Sequence, residues 1–351
     1  DEGCIFATSG TTDMPKCVVW DHLGLWLCGL STIDFTKMTG NDRLLEYRTF
    51  SWLSPQIITF MPFLSLGLTI VIANGFSRRR FFSWLRDYKI TVAAGVPTVI
   101  NILLDEPVKF TGKDVSSLRL MTASSAPLAP EKWKQFEDYY GIKILQFYGA
   151  SEGGWLCGNR LDNSRIGTVG QPAKYMDLAI LEPNGRVCPH GKVGEISIRG
   201  PQTAMANITS EGKWEDRIPF RLKHRTLVGD LGFMDAEKFL TVTGRVKDVI
   251  LRGGVSISPS EIDVVMMQHP KVHEAAVVGV PDKIWGEEII CFVVPAEGSD
   301  LTKEELLTHA NESFPEGKRP KKILIVKALA KNDRGKVKRD ALKNLWLNNL
   351  K

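Results

Sequence analysis

Short apolar runs alternate with segments of helical periodicity over about the first 165 residues. The apolar runs lie at 68–73, 91–94, 118–122 and 143–146. Between them, residues 80–88 and 130–140 have helical spacing, as Trp133, Phe136 and Tyr140 illustrate. Apolar strands that alternate with helices are typical of a mostly parallel sheet covered on both faces. We therefore predict a doubly wound α/β sheet.

The pattern changes twice farther along the chain. From about residue 166, short alternating runs are separated by turn signals such as Pro183-Asn184-Gly185, which predicts a small antiparallel or β-barrel-like subdomain. From about Gly244, helices at 260–269 and 303–314 and strands at 274–280 and 288–294 predict a compact α+β unit. We predict a large domain over 1–246, divided into a sheet subdomain (about 1–165) and a β subdomain (about 166–246), and a small C-terminal domain over 247–351.

Residues 57–73 are uncharged and mostly apolar. A membrane helix needs about 20 such residues. This run is shorter, and Pro62 and Gly67 interrupt it. We therefore predict a buried helix, a turn and the strand at 68–73, and a membrane span is the less favoured alternative.

Composition and charge are ordinary for a globular protein. The 351 residues are 43% hydrophobic and 24% charged, and the formal net charge of +5 does not suggest a nucleic-acid partner. Six scattered cysteines without a C-x-x-C pair argue against a zinc ribbon or a redox dithiol. We therefore expect a reduced, cytoplasmic setting.

A loop of small hydroxyl side chains follows the apolar residues 4–7. Hydroxyls and backbone N–H groups around a glycine suit a phosphate-binding loop, and Lys16 adds positive charge. The spacing is not that of a Walker A loop, and a Ser/Thr-rich surface loop explains this segment alone equally well. The segment reads Thr8-Ser9-Gly10-Thr11-Thr12-Asp13-Met14-Pro15-Lys16.

Two further segments place an acidic residue near glycines. Tyr148-Gly149-Ala150-Ser151-Glu152 follows the run 143–146, and parallel sheets bind ligands beyond the carboxyl ends of their strands. Glu152 is a candidate Mg²⁺ ligand, although an acidic first turn of a helix is the alternative. In Val228-Gly229-Asp230-Leu231-Gly232, the carboxylate suits ribose hydroxyls, but a turn aspartate is the simpler interpretation.

Two charged segments with glycines lie near and within the predicted small domain. The segment 244–254 contains Arg245, Lys247 and the pair Gly253-Gly254, and it predicts a hinge or an ordinary linker. The segment 332–339 contains Gly335-Lys336, which could deliver one cation to a reacting phosphate. A solvated basic tail is its simpler interpretation.

Taken together in this order, the five segments closely resemble the adenylate-forming superfamily, which comprises acyl-CoA synthetases, peptide-synthetase adenylation domains and beetle luciferases. The resemblance covers essentially the whole chain, and Ser125-Ala126-Pro127-Leu128 strengthens it. It implies the acyl-CoA synthetase-like fold and ATP-dependent activation of a carboxylic acid to an acyl-adenylate with release of pyrophosphate. The acyl group would then pass to coenzyme A, so ATP, Mg²⁺ and coenzyme A are the implied cofactors.

The resemblance also implies roles for matching residues. Lys336 matches the lysine that bridges the substrate carboxylate and the α-phosphate, Glu152 matches the Mg²⁺ ligand, and Lys247 matches the hinge about which the small domain rotates. Gly253 and Gly254 match the lining of the thiol tunnel. The implied nucleotide-binding residues are Thr8, Ser9, Gly10, Thr11, Thr12, Lys16, Ser124, Ser125, Ala126, Phe147, Tyr148, Gly149, Ala150, Ser151, Asp230 and Arg245.

The substrate and the acceptor are less constrained. Relatives that activate amino acids have an Asp where Ser51 stands, so we expect a fatty, aryl or other carboxylic acid without an α-amine. Trp52, Phe60 and Trp155 are candidates for an apolar pocket, although core positions explain them as well. A carrier-protein phosphopantetheine in place of coenzyme A, or a non-catalytic binding relative, are the alternatives.

Family members have a sizeable segment before the phosphate loop. The sequence therefore leads us to expect either a missing N-terminal segment or a second chain, such as a homo-oligomer partner, that supplies it.

Overall fold

The computed structural model describes residues 1–7, 17–105, 107, 115–209, 211–216, 224–332 and 335–348. These residues divide into two compact units. The first comprises 1–228 and 233–242, and the second comprises 229–232 and 243–351, within the described ranges.

The first unit is built on a sheet that contains seven strands among the described residues, in the order β4-β3-β5-β6-β7-β8-β9. The strands from β4 to β7 are parallel, and β8 and β9 continue the sheet in antiparallel fashion. Their bounds are β3 Arg43–Glu46, β4 Thr69–Ile72, β5 Val92–Ala93, β6 Leu120–Ala123, β7 Ile144–Ala150, β8 Gly154–Gly158 and β9 Gln171–Pro172.

Helices cover both faces of this sheet. Successive residues of β3 illustrate this, since Leu44 packs into one hydrophobic cluster with Phe35 of α1, and Leu45 packs into a second cluster with Phe81 of α4. The helices are α1 His22–Thr36, α2 Leu53–Pro55, α3 Met61–Leu66, α4 Arg78–Asp87, α5 Pro97–Asp105 and α6 Pro130–Tyr140. The predicted doubly wound, mostly parallel sheet is confirmed.

The helix boundaries follow from capping chemistry. Asp21 precedes α1, and its carboxylate accepts a hydrogen bond of 2.8 Å from the N–H of Gly24. Gly141 ends α6 in the left-handed conformation with φ of 65°, which glycine adopts without steric cost.

The apolar run 57–73 contains a helix, a turn and a strand, as predicted. A π-helical stretch, Gln56–Phe60, leads into α3, Gly67 closes that helix, and β4 follows. The run is only partly buried, because Phe60, Phe63 and Ile72 are exposed. Within the described ranges no helix has the length and apolarity needed to span a bilayer.

Two smaller sheets lie in the first unit, except that residues 229–232 of β14 and 243–245 of β15 belong to the second unit. One has the order β1-β2-β12-β13, and the other has the order β10-β11-β14-β15. The second is an open sheet in the described part of the chain, so the barrel-like closure expected from the sequence is wrong and the antiparallel pairing of β10 and β11 is right. The bounds are β1 Glu2–Ala7, β2 Cys17–Asp21, β10 Asp177–Leu181, β11 Gly194–Arg199, β12 Ala206–Ile208, β13 Trp214–Asp216, β14 Thr226–Met234 and β15 Leu240–Arg245.

The second unit is an α+β structure. Its sheet has the order β17-β16-β19-β18, with β20 parallel to β19, and hydrophobic clusters pack on both of its faces. Helix α8 begins with a capping box between Thr302 and Glu305. The elements are the 3-10 helix Val246–Asp248, β16 Ile250–Arg252, β17 Val255–Ile257, α7 Pro259–Met267, β18 Val272–Asp282, β19 Gly286–Pro295, α8 Lys303–Ser313, the 3-10 helix Glu316–Lys318, β20 Lys322–Ile325 and α9 Arg339–Asn348.

Candidate functional site

The predicted phosphate loop lies outside the described residues. Thr8, Ser9, Gly10, Thr11, Thr12 and Lys16 all belong to it. The strands on either side are described: β1 ends at Ala7, β2 begins at Cys17, and these two residues are antiparallel partners. The role of the loop stays a prediction.

The carboxyl ends of β6 and β7 bring two predicted nucleotide-binding segments side by side. Ala123 at the end of β6 is the parallel partner of Gln146 in β7, so Ser124, Ser125 and Ala126 leave the sheet beside Phe147 and the residues that follow it. Crevices beyond the carboxyl ends of parallel strands are the usual ligand sites of such sheets.

The serine pair after β6 combines a buried hydroxyl and a strained backbone. Ser124 is fully buried, and its hydroxyl has no hydrogen-bond partner among the described residues. Ser125 is exposed and has φ of 73°, a conformation that side-chain-bearing residues rarely adopt. Unpaired buried hydroxyls and strained residues cluster at functional sites, so both features fit a ligand-binding position.

The end of β7 and the turn before β8 are closely packed. At Gly149 a Cβ would lie 2.3 Å from the backbone oxygen of Gly154, so only glycine fits there. The buried indole of Trp20 donates a hydrogen bond of 3.1 Å to the backbone oxygen of Ser151. The backbone oxygen of Glu152 accepts one of 2.9 Å from Ala204. The turn is therefore fixed by β2 and by the segment before β12.

The side chain of Glu152 is accessible to a Mg²⁺ ion. Its side chain is partly exposed, and no lysine or arginine of the described residues pairs with it. Those residues contain no cluster of three or more His, Cys, Asp or Glu arranged around a metal. A single carboxylate suits Mg²⁺, which proteins usually bind through one or two carboxylates together with substrate phosphates.

Sequence reasoning missed a buried ion pair after β3. Arg48 donates to both carboxylate oxygens of Glu46, at 2.8 and 2.7 Å, and Thr59 of the π-helical stretch donates to the same carboxylate at 2.7 Å. The third guanidinium nitrogen of Arg48 is buried and has no partner among the described residues. The signal available in the sequence was the pair of opposite charges two residues apart in an otherwise apolar stretch.

The aromatic candidates for a pocket differ in burial. Trp155 is a core residue, because its indole donates 2.8 Å to Thr32 and packs against Phe147. Phe60 is exposed, and Trp52 is half-buried.

In the second unit the structure brings Asp230 and Arg245 together. Asp230 lies in β14 and belongs to this unit by its contacts, and Arg245 ends β15. The guanidinium Nε of Arg245 lies 3.0 Å from the Asp230 carboxylate. The predicted ribose-binding pair is therefore adjacent in space, although the two residues are 15 positions apart along the chain.

A short hairpin presents Lys336. Lys331 and Val337 form a bridge, and the backbone N–H and oxygen of Lys336 both bond to Asn332, at 3.0 and 2.9 Å. Gly335 has φ of 77°, which closes the turn. The backbone at Lys336 is thus well defined, and α9 begins three residues later.

The pKa of Lys336 is lower than that of an ordinary lysine. Burial, and then the neighbouring Arg245, lower the pKa of Lys336 to about 8, with Lys247 adding to the effect. Asp230 and Asp248 oppose this and favour the charged form. A lysine whose pKa is lowered to about 8, beside a candidate nucleotide-binding pair, is typical of a functional site.

Gly253 and Gly254 join β16 to β17 in a two-residue hairpin. Both have positive φ, of 57° and 81°, as such tight turns require. A Cβ on Gly253 would lie 2.8 Å from the ring of Trp285, whereas Gly254 has open space. Several exposed side chains near the hairpin are apolar. Leu251 and Val255 lie on its two strands, and Ile284 precedes Trp285 in the sequence.

Comparison with known proteins supports the family resemblance. The family model for AMP-binding enzyme matches residues 3–206, and the model for AMP-binding enzyme C-terminal domain matches residues 261–336.

Two curated relatives are CoA ligases. The oxalate–CoA ligase of Saccharomyces cerevisiae is 32% identical over 343 residues, which is 97% of this chain and 62% of that protein. The sulfoacetate–CoA ligase of Cupriavidus necator is 32% identical over 96% of this chain and 66% of its own length. The chain thus spans less than two thirds of the length of these relatives.

A solved structure has the same fold. The ATP-bound MatB from Rhodopseudomonas palustris aligns with a TM-score of 0.90 and 26% identity, over 99% of this chain and 68% of that one.

Proposed function

The chain belongs to the family of AMP-binding enzymes, and we propose that it activates a carboxylic acid with ATP and then transfers the acyl group to coenzyme A. The observation that carries the proposal is the placement of Lys336 beside the Asp230–Arg245 pair. This arrangement offers a cation next to a candidate ribose site, within one compact unit.

The first step joins two anions. A carboxylate oxygen attacks the α-phosphorus of ATP, the bond to the β-phosphate oxygen breaks, and pyrophosphate leaves. Two negative groups repel each other, so the site must align them and neutralise the charge that develops. Lys336, when protonated, supplies a mobile positive charge for this purpose, and Asp230 accepts hydrogen bonds from the ribose hydroxyls.

Residues of the first unit have separate tasks. The segments Ser124–Ala126 and Phe147–Ser151 line the carboxyl ends of β6 and β7, where we place the adenine and the acyl group. Glu152 is the residue that would hold Mg²⁺, and its partly exposed carboxylate, which has no ion-pair partner in the part of the chain that the structure describes, fits this. When bound, Mg²⁺ supplies positive charge to the phosphate oxygens.

The second step transfers the acyl group to a thiol. The thiolate sulfur attacks the carbonyl carbon of the adenylate, and AMP leaves. The Gly253-Gly254 hairpin has no side chains to block a narrow acceptor arm, and the exposed apolar residues beside it suit the pantetheine chain. The curated relatives named above are CoA ligases, which favours coenzyme A over a carrier protein.

We propose a substrate without an α-amine. Ser51 offers no charge for an ammonium group, and neither oxalate nor sulfoacetate, the acids in the names of the relatives, contains one. A panel of small, aryl and fatty acids, with amino acids as negative members, tests this class.

Acid-dependent exchange of labelled pyrophosphate into ATP tests the first step. We expect exchange with at least one acid of the panel, and we expect Lys336→Ala to abolish it. Lys338→Ala is the matched control, because this lysine lies in the same hairpin but its side chain is exposed, so exchange should persist. Exchange that survives in Lys336→Ala would refute the assigned role.

Thioester formation from supplied acyl-adenylate tests the second step. Lys336→Ala should largely retain it, whereas Gly254→Leu, which fills the open space at the hairpin and also strains its backbone, should reduce it. Activity with a phosphopantetheinylated carrier protein but not with coenzyme A would support the alternative acceptor.

A further inference from the structure

The guanidinium of Arg339, the first residue of α9, faces two carboxylates. Its Nη2 bonds to Asp263, and its Nη1 donates 2.5 Å to the backbone oxygen of Val277. Its Nε lies 3.7 Å from the carboxylate of Asp248. Arg339 therefore links α9 to helix α7, to strand β18 and to the 3-10 helix that contains Asp248.

The two carboxylates differ in their surroundings. Asp263 is buried and also accepts a 2.7 Å bond from the N–H of Val277, so it has a structural role in the core of the unit. Asp248 is partly exposed, and it acts on a second cation, because it also stabilises the charged form of Lys336. Asp248 therefore interacts with two cations, Arg339 at the start of α9 and Lys336 three residues before it.

We propose that Asp248 is a positioning residue of the adenylation step, which holds the hairpin of Lys336 against the Asp230–Arg245 pair and keeps the lysine charged. This inference rests on the proposed function of Lys336. Two observations support it. Asp248 of the 3-10 helix lies 3.7 Å from Arg339, and Lys336 precedes Arg339 by three residues, with its backbone N–H bonded to Asn332.

The charges around Lys336 explain why one carboxylate matters. Arg245 and Lys247 repel the ammonium group, and Asp230 and Asp248 attract it. Asp230 is the stronger of the two carboxylates in this respect, but it also pairs with Arg245 at 3.0 Å, whereas Asp248 is the one that also approaches Arg339 of α9. Among the described residues, loss of Asp248 would leave Arg245 and Lys247 opposed by Asp230 alone, and the pKa of Lys336 would fall.

Asp248→Asn is the test, since it removes the charge and keeps the shape. If the alkaline limb of pyrophosphate exchange moves down by one unit from about pH 8, the rate should fall by about tenfold at pH 9 and by about twofold at pH 7. Transfer from supplied acyl-adenylate to the thiol should be unchanged. Asp248→Glu, which restores the charge, should move the limb back.

Asp300→Asn is the matched control. Asp300 is an exposed acid of the same unit that pairs with Lys271 at 2.6 Å, so its loss should leave the pH profile in place. If Asp248→Asn lowers both half-reactions equally at every pH, together with the melting temperature, Asp248 only supports the fold and the proposal is wrong. An unchanged pH profile would overturn it as well.

A readout without catalysis separates this proposal from the proposed function. The rate at which an amine-reactive reagent labels Lys336, followed by mass spectrometry across pH, reports the protonation of the lysine. Labelling in Asp248→Asn should reach its plateau at lower pH than in the wild type, whereas Asp248→Glu, which keeps the charge, should label as the wild type does. If this shift occurs but no acid supports exchange, the proposed function fails and the local electrostatics stand.

Discussion

Replacement of Glu46 by Gln tests the buried ion pair that follows β3. The Glu46 side chain is fully buried, and that of Arg48 is 4% exposed. The carboxylate accepts hydrogen bonds from the guanidinium, from the backbone N–H groups of Tyr47 and Arg48, and from the hydroxyl of Thr59. Glutamine keeps the shape but leaves the guanidinium without a counter-charge.

The expected loss is large because a charge remains buried. Breaking a buried ion pair by neutralising one partner costs about 3–5 kcal/mol of the free energy of unfolding. One nitrogen of Arg48 already lacks a partner among the described residues, so the guanidinium has little else to bond. By contrast, Lys134–Asp138 is a 2.8 Å pair whose side chains are 68% and 63% exposed, and Asp138→Asn should cost less than about 0.5 kcal/mol.

The effect should also depend on pH with a definite sign. Burial acts to raise the pKa of Glu46, but Arg48 and the hydrogen bonds outweigh it, so the pKa lies below its ordinary value. The contribution of the pair is therefore complete above about pH 4.3, the unfolded pKa, and is lost as the pH falls through the folded pKa.

Urea unfolding, followed by the fluorescence of the tryptophans in the first unit, measures the free energy of unfolding. The double replacement of Glu46 and Arg48 by Met should recover much of the loss, because apolar residues need no counter-charge. A loss below about 1 kcal/mol in Glu46→Gln, or a double variant less stable than the single one, would refute the reasoning.

Three further predictions concern the site. For the wild type, kcat/KM of adenylation should fall by about tenfold between pH 7 and pH 9, because Lys336 has a pKa of about 8 and must be protonated; a flat profile over this range contradicts it. Glu152→Gln should raise the Mg²⁺ concentration needed for half-maximal exchange by about tenfold or more, since even indirect partners of a metal site contribute that much. Gly149→Ala should destabilise the first unit by about 1–3 kcal/mol and weaken ATP binding, because its Cβ would meet a backbone oxygen at 2.3 Å. Gly317→Ala, where a Cβ meets nothing within 4 Å, is the neutral control for it.

The sequence was sufficient for elements that have a local pattern. The apolar runs at 91–94 and 118–122 correspond to β5 and β6, and the helix at 303–314 corresponds to α8. The sequence could not show that the β subdomain is an open sheet, because closure depends on which distant strands pair and not on alternation within a strand. It also could not show the π-helical stretch, which contacts α1 through the hydroxyl of Thr32, a donor at 2.7 Å to the backbone oxygen of Ile57.

Candidate residues that belong to a motif could be grouped from the sequence, whereas residues that are grouped only by a tertiary contact could not. The resemblance identified Asp230 and Arg245 as a pair, and they are 3.0 Å apart. In the sequence, Asp248 and Arg339 resemble ordinary charged residues of a linker and a basic tail. Their contact of 3.7 Å is visible only in the folded chain, where the start of α9 lies close to the 3-10 helix. Similarly, nothing in Ser125 itself predicts a φ of 73°, which is imposed by the turn after β6.

The balance of charges around Lys336 leads to one more expectation, for the enzyme with its substrates bound. In the free protein burial is the largest influence on the pKa of Lys336; among the described residues, Arg245 and Lys247 also lower this pKa, and Asp230 and Asp248 raise it. ATP and a substrate carboxylate add negative charge beside it, and nearby negative charge favours the protonated form. The alkaline limb of kcat, which reports the bound enzyme, should therefore lie at higher pH than the limb of kcat/KM, which reports the free enzyme. Two limbs that coincide would mean that the anions do not approach Lys336, and the bridging role proposed for this lysine would have to be abandoned.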